Sequence, residues 1–258
     1  MPRTIVVTGA ASGIGAALTR QLTEAGDRVI GIDLSGSDID ADLSRAAGRA
    51  AAVDAVTEVS GGAVDGVVTC AGLSDASPLV VPVNFFGTTG VVEGLQPLLQ
   101  RSEAPRVVLV GSISGTQPYD DAIVAACLDD DEEAAREAAE KVMAAGLGHQ
   151  LYSSSKAAIA RWARRTAVAP GWAEAGIAIN VVAPGVVQTP MSAGLFEDPK
   201  MKAIMDQAVP MPLHGYAQAD DIARVIGFLV AGTTTHVTGQ VVYVDGGAET
   251  SLRPADHY

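Results

Sequence analysis

Short aliphatic runs alternate with stretches of helical periodicity from one end of the chain to the other. Thr4–Thr8, Arg28–Ile32, Gly66–Cys70, Val107–Val110, Ala178–Val182 and Val241–Val244 predict strands, with a very short one around Ile39–Asp42. Segments between them, such as Ile14–Ala25 and Asp220–Leu229, repeat Ala and Leu at helical spacing. Unbroken aliphatic strands separated by helices argue for right-handed βαβ units and a parallel sheet covered on both faces. The predicted fold class is therefore α/β, a single-domain Rossmann-like doubly wound parallel sheet. No linker or internal repeat divides the chain.

Two places break the rhythm. Only the stretch Leu34–Asp38 separates the second strand from the third, too short for a crossover helix, so a bare loop is predicted there. The other is Pro118–Gly148, which has no aliphatic strand run and holds nine acids against Arg136 and Lys141. Within it, Asp130–Ala145 is Ala-rich with acids at its start, which favours a helix through propensity and dipole. An exposed helical insert is expected between the fifth strand and the helix that follows.

Composition narrows the function. Of 258 residues, 48% are hydrophobic but only 4% aromatic, so the core must be mainly Val, Ala, Ile and Leu. The net charge of −13 comes with no basic stripe, which argues against a nucleic-acid partner. Arg161, Arg164 and Arg165 fall within a helical pattern and read as a solvated face. Cys70 and Cys127 have neither a disulfide framework nor metal-like spacing, so no metal is expected. The apolar start is too short for a signal or membrane helix, and the reading is a cytoplasmic protein with no membrane partner.

The first strand runs into Thr8-Gly9-Ala10-Ala11-Ser12-Gly13-Ile14-Gly15, followed by a helix. Gly9 allows a tight turn, Gly13 a close approach to a pyrophosphate, and Gly15 close packing of helix and strand. The helix N-terminus then offers free N–H groups to phosphates. Asp33 follows the aliphatic run of the second strand and so stands at its carboxyl end. A carboxylate there accepts from the adenosine ribose hydroxyls and repels a 2′-phosphate, which selects NAD over NADP; the alternative is an exposed turn aspartate. Asp42-Leu43 is placed to flank the adenine, although Asp42 equally suits a helix cap.

Tyr152-Ser153-Ser154-Ser155-Lys156 opens a predicted helix, with Tyr152 and Lys156 at positions i and i+4 on one face. An ammonium about 4 Å from a phenol contributes on the order of 4 kcal/mol in a partly screened site. That would bring the phenol, ordinarily near ~10, towards the working pH of an acid/base catalyst. Ser112 follows the strand-ending Gly111, where doubly wound sheets place ligands, and its hydroxyl can donate to a substrate oxygen. Ser114 is the competing serine. Asn84 is a polar residue in an otherwise apolar helix, either a working group or a satisfied core amide.

In order, the Gly9–Gly15 loop, Ala71-Gly72, Asn84, Ser112, Tyr152/Lys156 and Pro184-Gly185 resemble the short-chain dehydrogenases/reductases along essentially the whole chain. The resemblance implies that Ser112 polarises the substrate oxygen and Tyr152 transfers the proton. Lys156 lowers the tyrosine's pKa and holds the nicotinamide ribose, and Asn84 positions a relay water. It also implies that Gly9, Ser12, Gly13, Ile14, Gly15, Asp33, Asp42, Leu43, Ala71 and Gly72 contact the NAD cofactor. Pro184, Gly185, Val187 and Thr189 would hold its nicotinamide end. Two departures stand out. Cys70 occupies the place of an asparagine that braces the sheet, and Ser112 and Tyr152 are much further apart than is usual in the family, with Pro118–Gly148 filling the difference.

The missing helix, Asp42-Leu43-Ser44, Cys70-Ala71-Gly72-Leu73, the acidic insert and the tail from Asp245 to Pro254 resemble one bacterial branch, the 3α-hydroxysteroid dehydrogenases/carbonyl reductases. In that branch the insert obstructs the helix face used for tetramers, which implies a homodimer through another surface. Residues 186–214 are expected to form a substrate lid, with Met191, Leu195, Phe196, Met201, Ile204, Met205 and Met211 along it. Such side chains suit an adaptable apolar pocket for a bulky alcohol or ketone, or simply pack a surface helix. The competing readings are a dehydrogenase of small aromatic alcohols or dihydrodiols, and a non-catalytic NAD sensor.

Overall fold

The structure, a computed structural model, describes residues 2–253 and 255. Pro254 of the tail and the side chain of Leu195 in the expected lid lie outside the described residues. The first half runs β1 (Thr4–Thr8), α1 (Gly13–Glu24), β2 (Arg28–Asp33), β3 (Ile39–Asp40), α2 (Ala46–Val59) and β4 (Gly66–Thr69). A π-helical turn, Pro82–Phe86, leads into α3 (Gly87–Leu99) and then β5 (Arg106–Val110). After a short 3₁₀ turn, Ile113–Thr116, come α4 (Asp121–Leu128), α5 (Glu132–Ala144) and the long α6 (Gln150–Thr166). The chain finishes with β6 (Ala178–Pro184), β7 (Val187–Gln188), α7 (Ala193–Glu197), α8 (Pro199–Ala208), β8 (Ala217–Gln218), α9 (Ala219–Val230), β9 (Val241–Val244) and α10 (Ala248–Leu252).

Seven parallel strands form one sheet in the order β3-β2-β1-β4-β5-β6-β9. Strand alternation sends Val6, Val67, Val107 and Ile179 to one face, under α2, α3 and α6. It sends Ile5, Val7, Val68, Val108 and Val182 to the other, under α1 and α9. Each fully buried aliphatic side chain of this kind contributes roughly 1.5–3 kcal/mol. The expected bare loop joins β2 to β3, and it is closed by Gly31 N–H donating to Asp38 Oδ2 at 2.8 Å. β7 and β8 pair as a separate two-stranded parallel ribbon, which strand periodicity did not reveal. Among the described residues, no helix is long and apolar enough to cross a membrane.

The insert between β5 and α6 differs from the expected exposed helix in two ways. It holds two helices, not one, and their inner faces belong to the main core. Ile123, Val124 and Cys127 of α4 and Ala135, Ala139 and Val142 of α5 are buried with the α3 and α6 residues. The acids that suggested exposure have local work. Asp120 and Asp131 cap α4 and α5, each accepting a backbone N–H at 2.9 Å. Glu132 pairs with Arg49 of α2 at 2.5 Å and Arg136 at 2.7 Å. The insert is thereby fastened across α2 and packed on α6.

Candidate active site

The carboxyl ends of β1, β2, β4, β5 and β6 carry the glycine loop, Asp33, Cys70–Gly72, Ser112 and Pro184-Gly185, and so share one edge of the sheet. At β1 the turn is made by Gly9, with φ +69°, whose N–H donates to Ile32 O at 2.8 Å. A Cβ on Gly9 would lie 2.6 Å from Ala71 N, so the Ala71-Gly72 segment is brought against the loop. A Cβ on Gly15 would fall 2.0 Å from Gly9 O, a backbone atom with no freedom to yield. Gly15→Ala is expected to destabilise the fold by about 3 kcal/mol. It should also weaken NAD binding at least about tenfold, because about 1.4 kcal/mol of misplaced contact suffices for that. Thermal melting and a nucleotide titration check both; wild-type values in either would contradict the close approach.

Ser12 stands at the N-cap of α1 with its hydroxyl unused for capping, and no acid occupies the first turn. Gly13 has φ +52°. Donors without competing acceptors fit the pyrophosphate of a dinucleotide. Asp33 Oδ2 accepts from Ala11 N at 2.9 Å and Oδ1 from Leu34 N at 2.7 Å. Those bonds tie the carboxylate to the loop and leave lone pairs for ribose hydroxyls. Thr189 reaches the same loop, its methyl 3.5 Å from where a Cβ on Gly13 would sit. Gly185 N–H joins Val244 O at 3.1 Å, Val187 pairs with Ala217, and Thr189 N–H bonds Ser192 Oγ at 3.1 Å. Ile14 is the first apolar residue of α1 and packs with the core beneath it.

Two expected cofactor residues have engagements of their own. Asp42 accepts from Ser44 N at 3.0 Å and Ser44 Oγ at 2.6 Å, and these bonds hold its carboxyl below the usual range. It thus shapes the turn into α2, as its alternative reading allowed. The side chain of Leu43 is buried in the core. Beside β4, Thr8 Oγ1 accepts from Ala71 N at 3.2 Å and so braces the loop that contains Cys70. Burial pushes the Cys70 thiol up to about 12, with the Lys156 charge opposing, so it stays a neutral thiol.

Tyr152, Lys156 and Ser112 converge. Lys156 is buried on α6; its Nζ donates to Val110 O at the end of β5, 2.8 Å away, and lies 5.6 Å from the centre of the Tyr152 ring. Ser112 Oγ accepts from Ser114 N at 3.1 Å, which leaves the hydroxyl proton free to point elsewhere. The contact with Tyr152 distinguishes the two serines: Ser112 neighbours the phenol, whereas Ser114 supplies a backbone N–H. The 3₁₀ turn can press so closely on α6 because Gly115 has no side chain; a Cβ would come 3.1 Å from Lys156 C.

The electrostatics correct one expectation. Burial raises the Tyr152 phenol above its ordinary value, and the Ser112 hydroxyl opposes this. Burial also lowers Lys156, to about 8. The ammonium donates to the Val110 carbonyl, with the Tyr152 ring centre 5.6 Å away. Asn84 is fully buried in the π-turn, with all its amide groups engaged: Oδ1 accepts from Leu73 N at 2.8 Å, and Nδ2 donates to Leu73 O at 2.9 Å and Ser155 Oγ at 3.0 Å. The π-turn itself was invisible to helical periodicity; only the polar residue among apolar neighbours marked the place. Sequence reasoning also passed over Ser155 and the Val110 carbonyl, the second of which has no side-chain signature.

Above the site, Phe196, Met205 and Met211 of the 186–214 stretch cluster with Ile113, Val186, Tyr216 and Tyr243. Met191, Met201 and Ile204 are exposed. The stretch thus divides into an inward apolar face beside Ser112 and an outward one. Asp206 of α8 is bonded to Lys202 and to the Tyr216 hydroxyl, which pins the helix to the ribbon side.

A short chain dehydrogenase family profile matches residues 3–127, and one described as enoyl-(acyl carrier protein) reductase matches residues 134–249. The chain is 34% identical over 254 residues to a 3-alpha-hydroxysteroid dehydrogenase/carbonyl reductase of Comamonas testosteroni, across 97% of this chain and 98% of that one. It is 32% identical to a cis-4-hydroxycyclohexanecarboxylate dehydrogenase of Sinomonas cyclohexanicum, with 95% and 96% covered. Among solved structures, the 3-alpha-hydroxysteroid dehydrogenase from Pseudomonas sp. B-0831 complexed with NADH matches at TM-score 0.89 and 42% identity, over 97% of this chain and 98% of that chain. The chain belongs to the short-chain dehydrogenase family.

Proposed function

We propose that this protein is an NAD-dependent oxidoreductase that interconverts a bulky apolar secondary alcohol and its ketone, with 3α-hydroxysteroids as the first substrate class. The observation that carries the reading is the convergence of Ser112, Tyr152 and Lys156 beside the apolar face of residues 186–214. NAD supplies the hydride acceptor and, in the reverse direction, the donor. The glycine loop, Ser12 and the α1 N-terminus would hold its pyrophosphate, Asp33 its adenosine ribose, and Pro184, Gly185, Val187 and Thr189 its far end. Asp42, Leu43, Ala71 and Gly72 would line its course.

The substrate oxygen would sit between the Ser112 hydroxyl and Tyr152 Oη. Ser112 donates a hydrogen bond to it, and Tyr152 takes the alcohol proton or returns it to the ketone oxygen. Lys156 uses one of its three N–H donors on Val110 O, which leaves two for a ribose. Asn84 would position the relay water beyond Lys156 while its side chain holds the Leu73 loop and Ser155. Phe196, Met205 and Met211 would cover the substrate and exclude water.

The steroid assignment draws on the relatives from Comamonas and Pseudomonas. The Sinomonas relative, named for a hydroxylated cyclohexane acid, favours a smaller alicyclic alcohol as the second reading. A diffusible nucleotide cofactor suits work in the cytoplasm, and the insert packed on α6 favours a homodimer through another surface. The test is NAD and NADP reduction by purified protein with hydroxysteroids and with aromatic and alicyclic alcohols. Turnover of 3α-hydroxysteroids supports the assignment, and turnover of small alcohols alone sinks the steroid reading. Tight NAD binding with no turnover of any alcohol would point to a sensor.

A further inference from the structure

We propose that Ser155 is a positioning residue for the proton transfer: its hydroxyl joins the catalytic helix to the π-turn and holds the turn that carries Tyr152 and Lys156 in place against Ser112. The inference rests on the dehydrogenase reading of this site. Ser155 is fully buried, so its polar group must find partners within the protein. It finds two. Its oxygen accepts from Asn84 Nδ2 at 3.0 Å, and its proton goes to Tyr152 O at 2.8 Å.

Both directions are forced. The amide nitrogen of Asn84 can only donate and the Tyr152 carbonyl can only accept, so Ser155 must accept from the first and donate to the second. Asn84 has no latitude either, because Leu73 N–H and O occupy its remaining groups at 2.8 and 2.9 Å. The result is a chain of bonds from the loop after β4, through Asn84 and Ser155, to the backbone of Tyr152. Among the described residues, it contains the only side-chain hydrogen bond between the π-turn and α6.

The neighbouring serines do something else. Ser153 Oγ donates to Pro118 O at 2.7 Å, and Ser154 Oγ accepts from Asp120 N at 3.0 Å. Both bonds fasten α6 to the start of the insert. Lys156 is held on a third side by Val110 O. One turn of helix is therefore gripped by the insert, by β5 and by the π-turn, and among the described residues the hydrogen-bonded part of the last grip passes through Ser155 alone. Losing it lets the turn that carries both Tyr152 and Lys156 shift against the π-turn and so against Ser112 just after β5. Small displacements of reacting groups carry large rate penalties.

The experiment compares Ser155→Ala, Ser155→Thr and Ser153→Ala with the parent enzyme, by steady-state kinetics from pH 6 to 10 and by thermal melting. Ser155→Ala is expected to lower kcat on the order of ten- to a hundredfold, with KM for NAD nearly unchanged and the pH profile of kcat displaced. Ser155→Thr, which keeps a hydroxyl able to bond the preceding helical turn, should recover most of the rate. Ser153→Ala, which loses a hydroxyl bond from the same helix turn, should keep the parent kcat and pH profile. If Ser155→Ala does not fold, Ser155→Cys, with a similar shape and a weak donor, takes its place. A parent-like kcat and profile in the Ser155 variant would overturn the proposal, as would an equal loss in Ser153→Ala. An absence of alcohol turnover in the parent would instead remove the dehydrogenase reading beneath it.

Discussion

Tyr152→Phe is expected to reduce kcat about 10³-fold in both directions, within the usual range for losing a general acid/base. The substitution removes one oxygen and keeps the ring, so the packing around α6 survives. Lys156 remains on the Val110 carbonyl and the glycine loop is untouched, so NAD affinity should stay within about twofold, under about 0.5 kcal/mol. Initial rates and a nucleotide titration on the same preparation separate the two effects. A variant that kept a tenth of the parent kcat would show that another group moves the proton.

The same phenol sets the pH dependence. Burial holds Tyr152 above the ordinary tyrosine value. An acid with a raised pKa keeps its proton to higher pH, so the form that protonates a ketone dominates at neutrality. The form that accepts an alcohol proton grows as pH rises. Oxidation should therefore climb through the alkaline range, whereas reduction stays level and then falls. Rates measured in both directions with saturating cofactor check the sign, and level profiles in both would contradict it.

Asp33→Ser is expected to shift cofactor preference towards NADP. A doubly charged 2′-phosphate about 4 Å from the carboxylate is repelled by about 2 kcal/mol even at the dielectric of water, which is roughly thirtyfold. Removing the charge should raise kcat/KM for NADP by at least about that factor. Use of NAD should fall as well, because the loop N–H of Ala11 and the ribose hydroxyls lose the same acceptor. The measurement is kcat/KM for each nucleotide in parent and variant. An unchanged ratio would mean that Asp33 only shapes the loop, the bland alternative for an aspartate at a strand end.

Several features were legible because one residue type answers one physical need. Val241–Val244 and Thr4–Thr8 were predicted with the bounds they have, since aliphatic runs bounded by turn residues leave little choice of element. Ser112 is brought to Tyr152 and Lys156 across the whole length of the insert. The insert was misjudged because charge says nothing about the opposite face of a helix. Small apolar residues such as Ala135 and Ala139 become core only when α6 is present to cover them. The Tyr152 environment was misjudged for a related reason: helical spacing places two side chains on one face but does not choose the carbonyl that captures the ammonium. Backbone acceptors and π-turns leave almost no trace in residue identity.

The order of strands across the sheet has a consequence for biosynthesis. From β1 to β4, β5, β6 and β9, each later strand is laid beside the one made before it, while β2 and β3 extend the opposite side. A chain leaving the ribosome can therefore grow its sheet outward without inserting a strand between two already paired. The glycine loop and Asp33 are made with the first two strands, well before the segment that carries Tyr152. Nascent chains halted after β5 would contain the whole proposed adenosine-binding end and no proton donor. Any nucleotide held by that five-stranded part of the sheet would stabilise it by mass action while the catalytic helix is still being synthesised.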